Sequence, residues 1–140
     1  MDRLTVAFGA DDTNECVAAV RAYLESVADV KILTPSDRWP EIAQEVGRCV
    51  ANGDATFGVL LCWTGTGTAI AANKVPGVRA IQAWERWIAA GARKWNDANV
   101  LTLSLKRTAP DVAVECVKAF LEVERPDEDE LANIEMLRGL

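Results

Sequence analysis

"GVLLCWTGTGTAIAANK", from Gly58 to Lys74, is the stretch whose reading decides the fold. An apolar run without polar alternation ends in Cys62 and Trp63, turns through glycines at 65 and 67, and passes into an alanine-rich segment. A run apolar on both faces is a strand covered on both sides of its sheet, and the segment after it is a helix laid back across that sheet. Glycines let such a turn close tightly and bring backbone N–H groups close to an anion, with the helix N-terminus adding partial positive charge. A glycine-threonine turn alone is more often structural than functional. The cysteine changes that weighting, because a thiol at a helix N-terminus is favoured as thiolate and so becomes available as base or nucleophile.

The same rhythm extends in both directions. Toward the N-terminus lie the strand-like Leu4 to Gly9 and Val30 to Leu33, followed by helical patterns over Asn14 to Val27 and Pro40 to Gly53. Toward the C-terminus Val78 to Ala83 precedes "ERWIAAGARKWN", and Val100 to Leu105 precedes "PDVAVECVKAFLEV". Apolar strands each followed by an amphipathic helix imply an open α/β fold, with a parallel sheet of about five strands between two helical layers. Ligands of such folds bind beyond the carboxyl ends of the strands, at a switch point in strand order. That singles out Gly9 to Asn14, Cys62 to Thr68 and Gln82 to Arg86.

Composition sets the limits. The 140 residues, half of them hydrophobic, suffice for one core, and 21 acidic against 15 basic residues give a net charge of -6 that disfavours nucleic acid as a partner. No run approaches the roughly 20 apolar residues that span a bilayer, and "MDRLTVAFGADD" reads as a first strand and not as a signal peptide, so no membrane association and a cytoplasmic location are expected. Histidine is absent, which leaves acid–base chemistry to Cys, Asp, Glu, Lys or Tyr. Cys16, Cys49 and Cys116 fall inside helical patterns and read as small core residues, and no cysteine pair has zinc-site spacing.

Two further stretches lie near strand or helix ends. In "GADDTN", Asp11 and Asp12 close the first strand, where helix capping by Asp12, Thr13 or Asn14 competes evenly with ligand contact. A metal on these carboxylates lacks a third ligand, so no metal site is expected. In "ARKWNDANVL", Asn96, Asp97 and Asn99 are first of all turn formers. Of the five tryptophans, Trp63 and Trp95 are placed to flank the pocket. Residues 1–123 form the domain, and 124–140 form a helical tail, with Asp127 to Glu130 in the first turn of its helix and Leu131, Ile134, Met136 and Leu137 available to a partner subunit.

"GADD", "CWTGTGTAIAANKVPGVRA" and "ARKWNDANVLTL", in this order and spacing, resemble the ribose-5-phosphate isomerase B and galactose-6-phosphate isomerase family of sugar-phosphate isomerases, from about Val6 to Leu121. The resemblance implies a Rossmann-like three-layer α/β/α sandwich, a homodimer or dimer of dimers with active sites at the subunit interface, and aldose–ketose interconversion through an enediolate without metal or organic cofactor. It implies Cys62 as the base, Thr64 beside the reacting atoms, turn amides at Gly65 and Gly67 on the enediolate oxygen, and Asp11 and Asn96 on sugar hydroxyls. Departures accompany it: Asp12 and Trp95 stand where the family usually has histidine, and Trp63 where it has glycine. The basic cluster that grips phosphate near the family's C-terminus corresponds to "PDEDELAN", and Glu122 to Arg138 holds seven acids against two arginines. Lys106 is the remaining candidate cation for phosphate, and ring opening falls to Asp11, Asp12 or water, unless the substrate arrives open-chain. The expected substrate is therefore an altered or unphosphorylated sugar. A non-catalytic sugar-binding or structural subunit of the same family is the alternative.

Overall fold

The computed structural model describes residues 3–140. Five strands, β1 (Leu4–Ala10), β2 (Ala28–Ile32), β3 (Phe57–Cys62), β4 (Ala80–Gln82) and β5 (Val100–Ser104), form one parallel sheet in the order β2-β1-β3-β5-β4. The connecting helices are α1 (Glu15–Val27), α2 (Trp39–Ala51), α3 (Thr66–Asn73) and α4 (Arg86–Asn96), and α5 (Pro110–Glu122) follows β5. Helices α1, α5 and α4 pack side by side on one face, and α2 and α3 on the other. This is the expected Rossmann-like three-layer α/β/α sandwich. Among the described residues no helix is long and apolar enough to cross a membrane.

The central strands show why the sequence lacks alternation there. Val59 and Leu61 enter the core beneath α1, α4 and α5, while Leu60 enters the core beneath α2 and α3, and all six residues of β3 are buried. Val6 and Phe8 oppose Ala7 in the same way on β1. Each helix has a local cause. Asn14 caps α1 by accepting from Val17 N–H at 3.0 Å, Pro40 and Pro110 stand in the first turns of α2 and α5, and Glu85 caps α4 by accepting from Ile88 N–H at 3.1 Å. Asn14 therefore takes the capping role, which leaves Asp11 and Asp12 free for other partners.

Strand β4 is shorter than the Val78 to Ala83 read from the sequence, because β4 is an edge strand that pairs only with β5 and Val78 N–H is taken up by a turn to Val75 O. Beyond α5 a short 3-10 turn (Glu128–Glu130) leads into α6 (Leu131–Leu137). The tail docks on α4 of its own chain: Asp127 N–H donates to Lys94 O at 2.8 Å, and Ile134 is buried. Of the four apolar tail residues expected to face a partner subunit, Ile134 is thus used within the chain, whereas Leu131, Met136 and Leu137 remain exposed.

Arg93 has no counterpart in the sequence reading. It lies on α4 at 4% exposure, donating to Ala98 O at 3.1 Å and Val123 O at 2.9 Å, with Asp97 at 3.4 Å and its guanidinium 4.4 Å from the Phe57 ring centroid. It fastens the end of α4 to the start of the tail.

Candidate active site

Strand order places the site. From β1 the chain moves outward to β2, and β3 lies on the opposite side of β1, so the crevice beyond the carboxyl ends of β1 and β3 is a switch point. There Asp11, Cys62, Trp63, Thr64, Thr66, Gly67 and Trp39 line a cavity of about 360 Å³. Five of these seven were named from the sequence, and Thr66 lies in the same Cys62 to Thr68 segment. Trp39 was not, because it arrives from the first residue of α2, which starts at the same sheet edge after the β2 loop. A large aromatic beside Pro40 at that edge is the signal that was available. A larger groove of about 700 Å³ runs between α4, α5 and the tail, but its lining mixes Arg86, Lys94 and Arg125 with Glu115, Glu122 and Asp127 and brings no thiol. The chemistry is at the strand ends.

The two turn glycines serve different ends. Gly65 sits at a left-handed φ of 80°, where an added Cβ would lie 2.8 Å from Gln82 Nε2 and 2.9 Å from the Leu103 carbonyl carbon. It allows the turn. Gly67 is inside α3, and its bare Cα lets the Trp39 ring come to 3.0 Å from where a Cβ would stand. Gly67 thereby shapes the aromatic wall.

Cys62 ends β3 with its side chain buried among polar partners. Gly65 N–H donates to Sγ at 3.1 Å, and Thr68 Oγ1 stands 3.3 Å from Sγ. Thr68, the last residue of the Cys62 to Thr68 segment but given no role of its own in the sequence reading, is the buried hydroxyl in contact with the thiol, while Thr64 pairs with Thr66 at 2.7 Å at the cavity wall. No side chain caps α3. The Thr68 hydroxyl also donates to Gly65 O at 3.3 Å, so the Gly65 N–H is the donor aimed at the sulfur, in the position from which a backbone amide supports a base or nucleophile.

Asp11 faces the same cavity, and its Oδ1 is buried without a hydrogen-bond partner among the described residues. Burial pushes its carboxyl above the usual range, against the pull of its own backbone N–H, and Asp12 adds to the rise. An orphaned buried carboxylate oxygen is a ready acceptor for a ligand hydroxyl. Asp12 is held below the usual range by Thr13 N–H and then by Trp63, whose Nε1 donates to Oδ2 at 3.0 Å. Lys106 Nζ lies 4.4 Å from the Trp63 ring centroid. Asp12 and Lys106 thus hold the Trp63 ring and are absent from the cavity lining.

Asn96 and Trp95 are not brought to this cavity within one chain. Strand register sets Val100 opposite Gly58 and Ser104 opposite Cys62, so Asn96, just before β5, lies at the amino end of the sheet. Trp95 packs edge-to-face on Trp87 at 5.4 Å, covers Gly91, and donates from Nε1 to Asp127 Oδ2 at 3.1 Å. Trp95 does not flank the Cys62 cavity of its own chain, because it is spent holding the tail. Asp97 and Asn99 are structural: Asp97 joins Arg79 and Arg93, and Asn99 bonds Arg79 N–H and Gly77 O. Asn96 is exposed at the surface.

A doubly wound α/β chain with a thiol, a carboxylate and an uncapped helix start around one cavity fits an acid–base enzyme or a binder of polyhydroxylated molecules. Comparison with known proteins narrows this. A family model described as Ribose/Galactose Isomerase matches residues 6–137. Ribose-5-P isomerase B of Listeria innocua is 40% identical over 84 residues, 60% of this chain and 57% of that protein. D-erythrulose-4-phosphate isomerase of Pectobacterium atrosepticum is 33% identical over 128 residues, 86% of this chain and 84% of that protein. Among solved structures, type B ribose 5-phosphate isomerase of Trypanosoma brucei superposes with a TM-score of 0.83 at 34% identity, covering 99% of both chains. The chain belongs to the ribose/galactose isomerase family.

Proposed function

We propose that the chain is an aldose–ketose isomerase in which Cys62 moves the proton between neighbouring sugar carbons. The thiolate takes the proton from C2 of the open-chain aldose while O1 gains one, giving an enediol or enediolate. Return of a proton to C1 and loss of one from O2 gives the ketose. Gly65 N–H meets the sulfur, the other amides of the turn hold the developing oxyanion, and Asp11 accepts from a sugar hydroxyl. The carrying observation is that Cys62 and the unpartnered Asp11 carboxylate line one cavity, with Gly65 N–H on the sulfur at 3.1 Å.

The sugar is unphosphorylated or otherwise altered. Support comes from the cavity lining, which holds Asp11 and two tryptophans and no cation among the described residues, where a phosphate would need charge-assisted hydrogen bonds. Relatives bear the names of sugar-phosphate isomerases, and a phosphorylated substrate is accordingly the comparison to run. Two copies of the chain are proposed to complete each site, with Asn96 reaching a sugar hydroxyl from the partner, since it lies at the far end of its own sheet. Carbon-bound deuterium uptake in heavy water, followed over a panel of free and phosphorylated pentoses, tetroses and hexoses, tests the reading. Uptake into a free sugar that disappears in Cys62→Ala supports it; no uptake on any sugar removes it.

One observation favours a second reading, a non-catalytic sugar binder of the same family: Trp63 is fixed beside the thiol by Asp12 and Lys106. Saturable binding of a free sugar without exchange would establish it.

A further inference from the structure

Beyond Cys62 the chain leaves the sheet, yet its carbonyls stay tied to it. Cys62 O still accepts from the backbone, from Leu105 N–H at 2.9 Å. The next three carbonyls are taken by side chains, chiefly of β5 and β4: Trp63 O accepts from Ser104 Oγ at 2.6 Å, Thr64 O from Gln82 Nε2, and Gly65 O from Thr102 Oγ1 at 2.7 Å, with the longer contact from Thr68 Oγ1 at 3.3 Å. Ser104 is itself oriented, since its Oγ accepts from Arg107 N–H at 3.0 Å and its proton is left for Trp63 O.

In a trans peptide the carbonyl and the following N–H point in opposite directions, and no peptide here is cis. Tying Thr64 O to Gln82 therefore turns Gly65 N–H away from the sheet edge, and that N–H is the one 3.1 Å from Cys62 Sγ. Tying Gly65 O to Thr102 turns Thr66 N–H toward Thr64 Oγ1, at 3.3 Å. Tying Trp63 O to Ser104 leaves Thr64 N–H turned outward, without a partner among the described residues. Thr102 has 0% exposure and Ser104 6%, so water does not replace these donors readily.

We propose that Ser104, Gln82 and Thr102 are positioning residues that act together through the carbonyls of Trp63, Thr64 and Gly65 to aim the intervening amides at the Cys62 sulfur and at the oxyanion. Their action on the sulfur stands apart from the isomerase reading; their action on the oxyanion rests on it. A merely structural role would lower stability without changing the reactivity of one thiol.

The test follows alkylation of Cys62 by iodoacetamide at neutral pH, resolved by peptide mass spectrometry, with Cys16 and Cys116 as internal references whose thiols burial pushes up, that of Cys116 to about 11. Thr102→Val, which keeps the shape and removes the donor, is expected to slow Cys62 several-fold, and Thr102→Ser to restore it. Ser104→Ala and Gln82→Leu provide independent arms should the buried Thr102→Val variant fold poorly, judged by thermal melting. Rates at or above wild type in all folded variants overturn the proposal, as does a wild-type Cys62 no more reactive than Cys16. On any sugar that exchanges, Thr102→Val is expected to lower kcat about tenfold with KM little changed. Absence of exchange in the wild type would remove the isomerase reading and leave the alkylation result to judge the positioning role.

Discussion

Trp63 Nε1 donates to Asp12 Oδ2 at 3.0 Å across 51 residues of sequence, so the residue after the thiol and the residue after Asp11 form one unit. Both are positions where the resembled family usually has something else. Their coupling means that neither departure is independent: Asp12 is the acceptor of the Trp63 indole N–H beside the thiol. With this hydrogen bond shared between the two side chains, a double-mutant cycle of Asp12→Ala and Trp63→Phe on kcat/KM for the exchanging sugar is expected to be non-additive. Additive effects would dissolve the unit.

Cys62→Ala removes the proposed base while changing little of the core, since its sulfur faces polar partners at the strand end. Solvent exchange into sugar is expected to fall by about 10²–10⁴-fold, the usual worth of a positioned base. The melting temperature should move by no more than a few degrees. A variant that retains exchange would transfer the base role to another group.

Asp11 separates stability from function. Its carboxyl is pushed up in the folded protein, so the group favours folding below the unfolded-state value of 3.8 and loses that contribution as pH rises through the folded value. At neutral pH Asp11→Asn should therefore raise the melting temperature, with the gain shrinking as the medium is acidified toward 3.8. The same variant should weaken sugar binding. Asp12 has the opposite sign: its lowered carboxyl supports folding above 3.8 and ceases to do so as pH falls through the folded value.

Arg93 is a costly side chain to remove. Truncation to Ala leaves Ala98 O and Val123 O without their donor, empties the space over Phe57 and takes one partner from Asp97. Asp97 keeps Arg79 at 3.2 Å, which moderates the loss. Arg93→Ala should destabilise by about 3 kcal/mol in denaturant titration. Arg93→Lys should recover only part, because a single ammonium cannot reproduce the fork of donors.

What the sequence disclosed follows from the range of the forces involved. Strands covered on both faces betray themselves by unbroken apolar runs, as in Phe57 to Cys62, and helices by caps such as Asn14. Cys62, Asp11 and the turn glycines were legible because they lie at strand ends, where any open α/β fold places its ligand. Trp39, Thr102 and Ser104 were not, and Thr68 and Gln82, though inside the strand-end segments, had no role that the sequence could assign. Their roles depend on which strand lies beside which, and local pattern carries no record of β5 standing between β3 and β4. Arg93 escaped for the related reason that a basic residue near a helix end reads as solvated until a tail is seen to fold over it.

That insertion of β5 also imposes a timetable on the chain. Strand β4 has a single strand neighbour, β5, which follows it in the sequence, so Ala80 to Gln82 has no ladder partner until Val100 to Ser104 has been made. Ser104 and Thr102 arrive with that strand, and Gln82 can be seated only afterwards. The strand that carries the thiol thus precedes in the chain the strand that carries Thr102 and Ser104, and a chain without β5 would hold the nucleophile but not the side chains that direct the backbone around it.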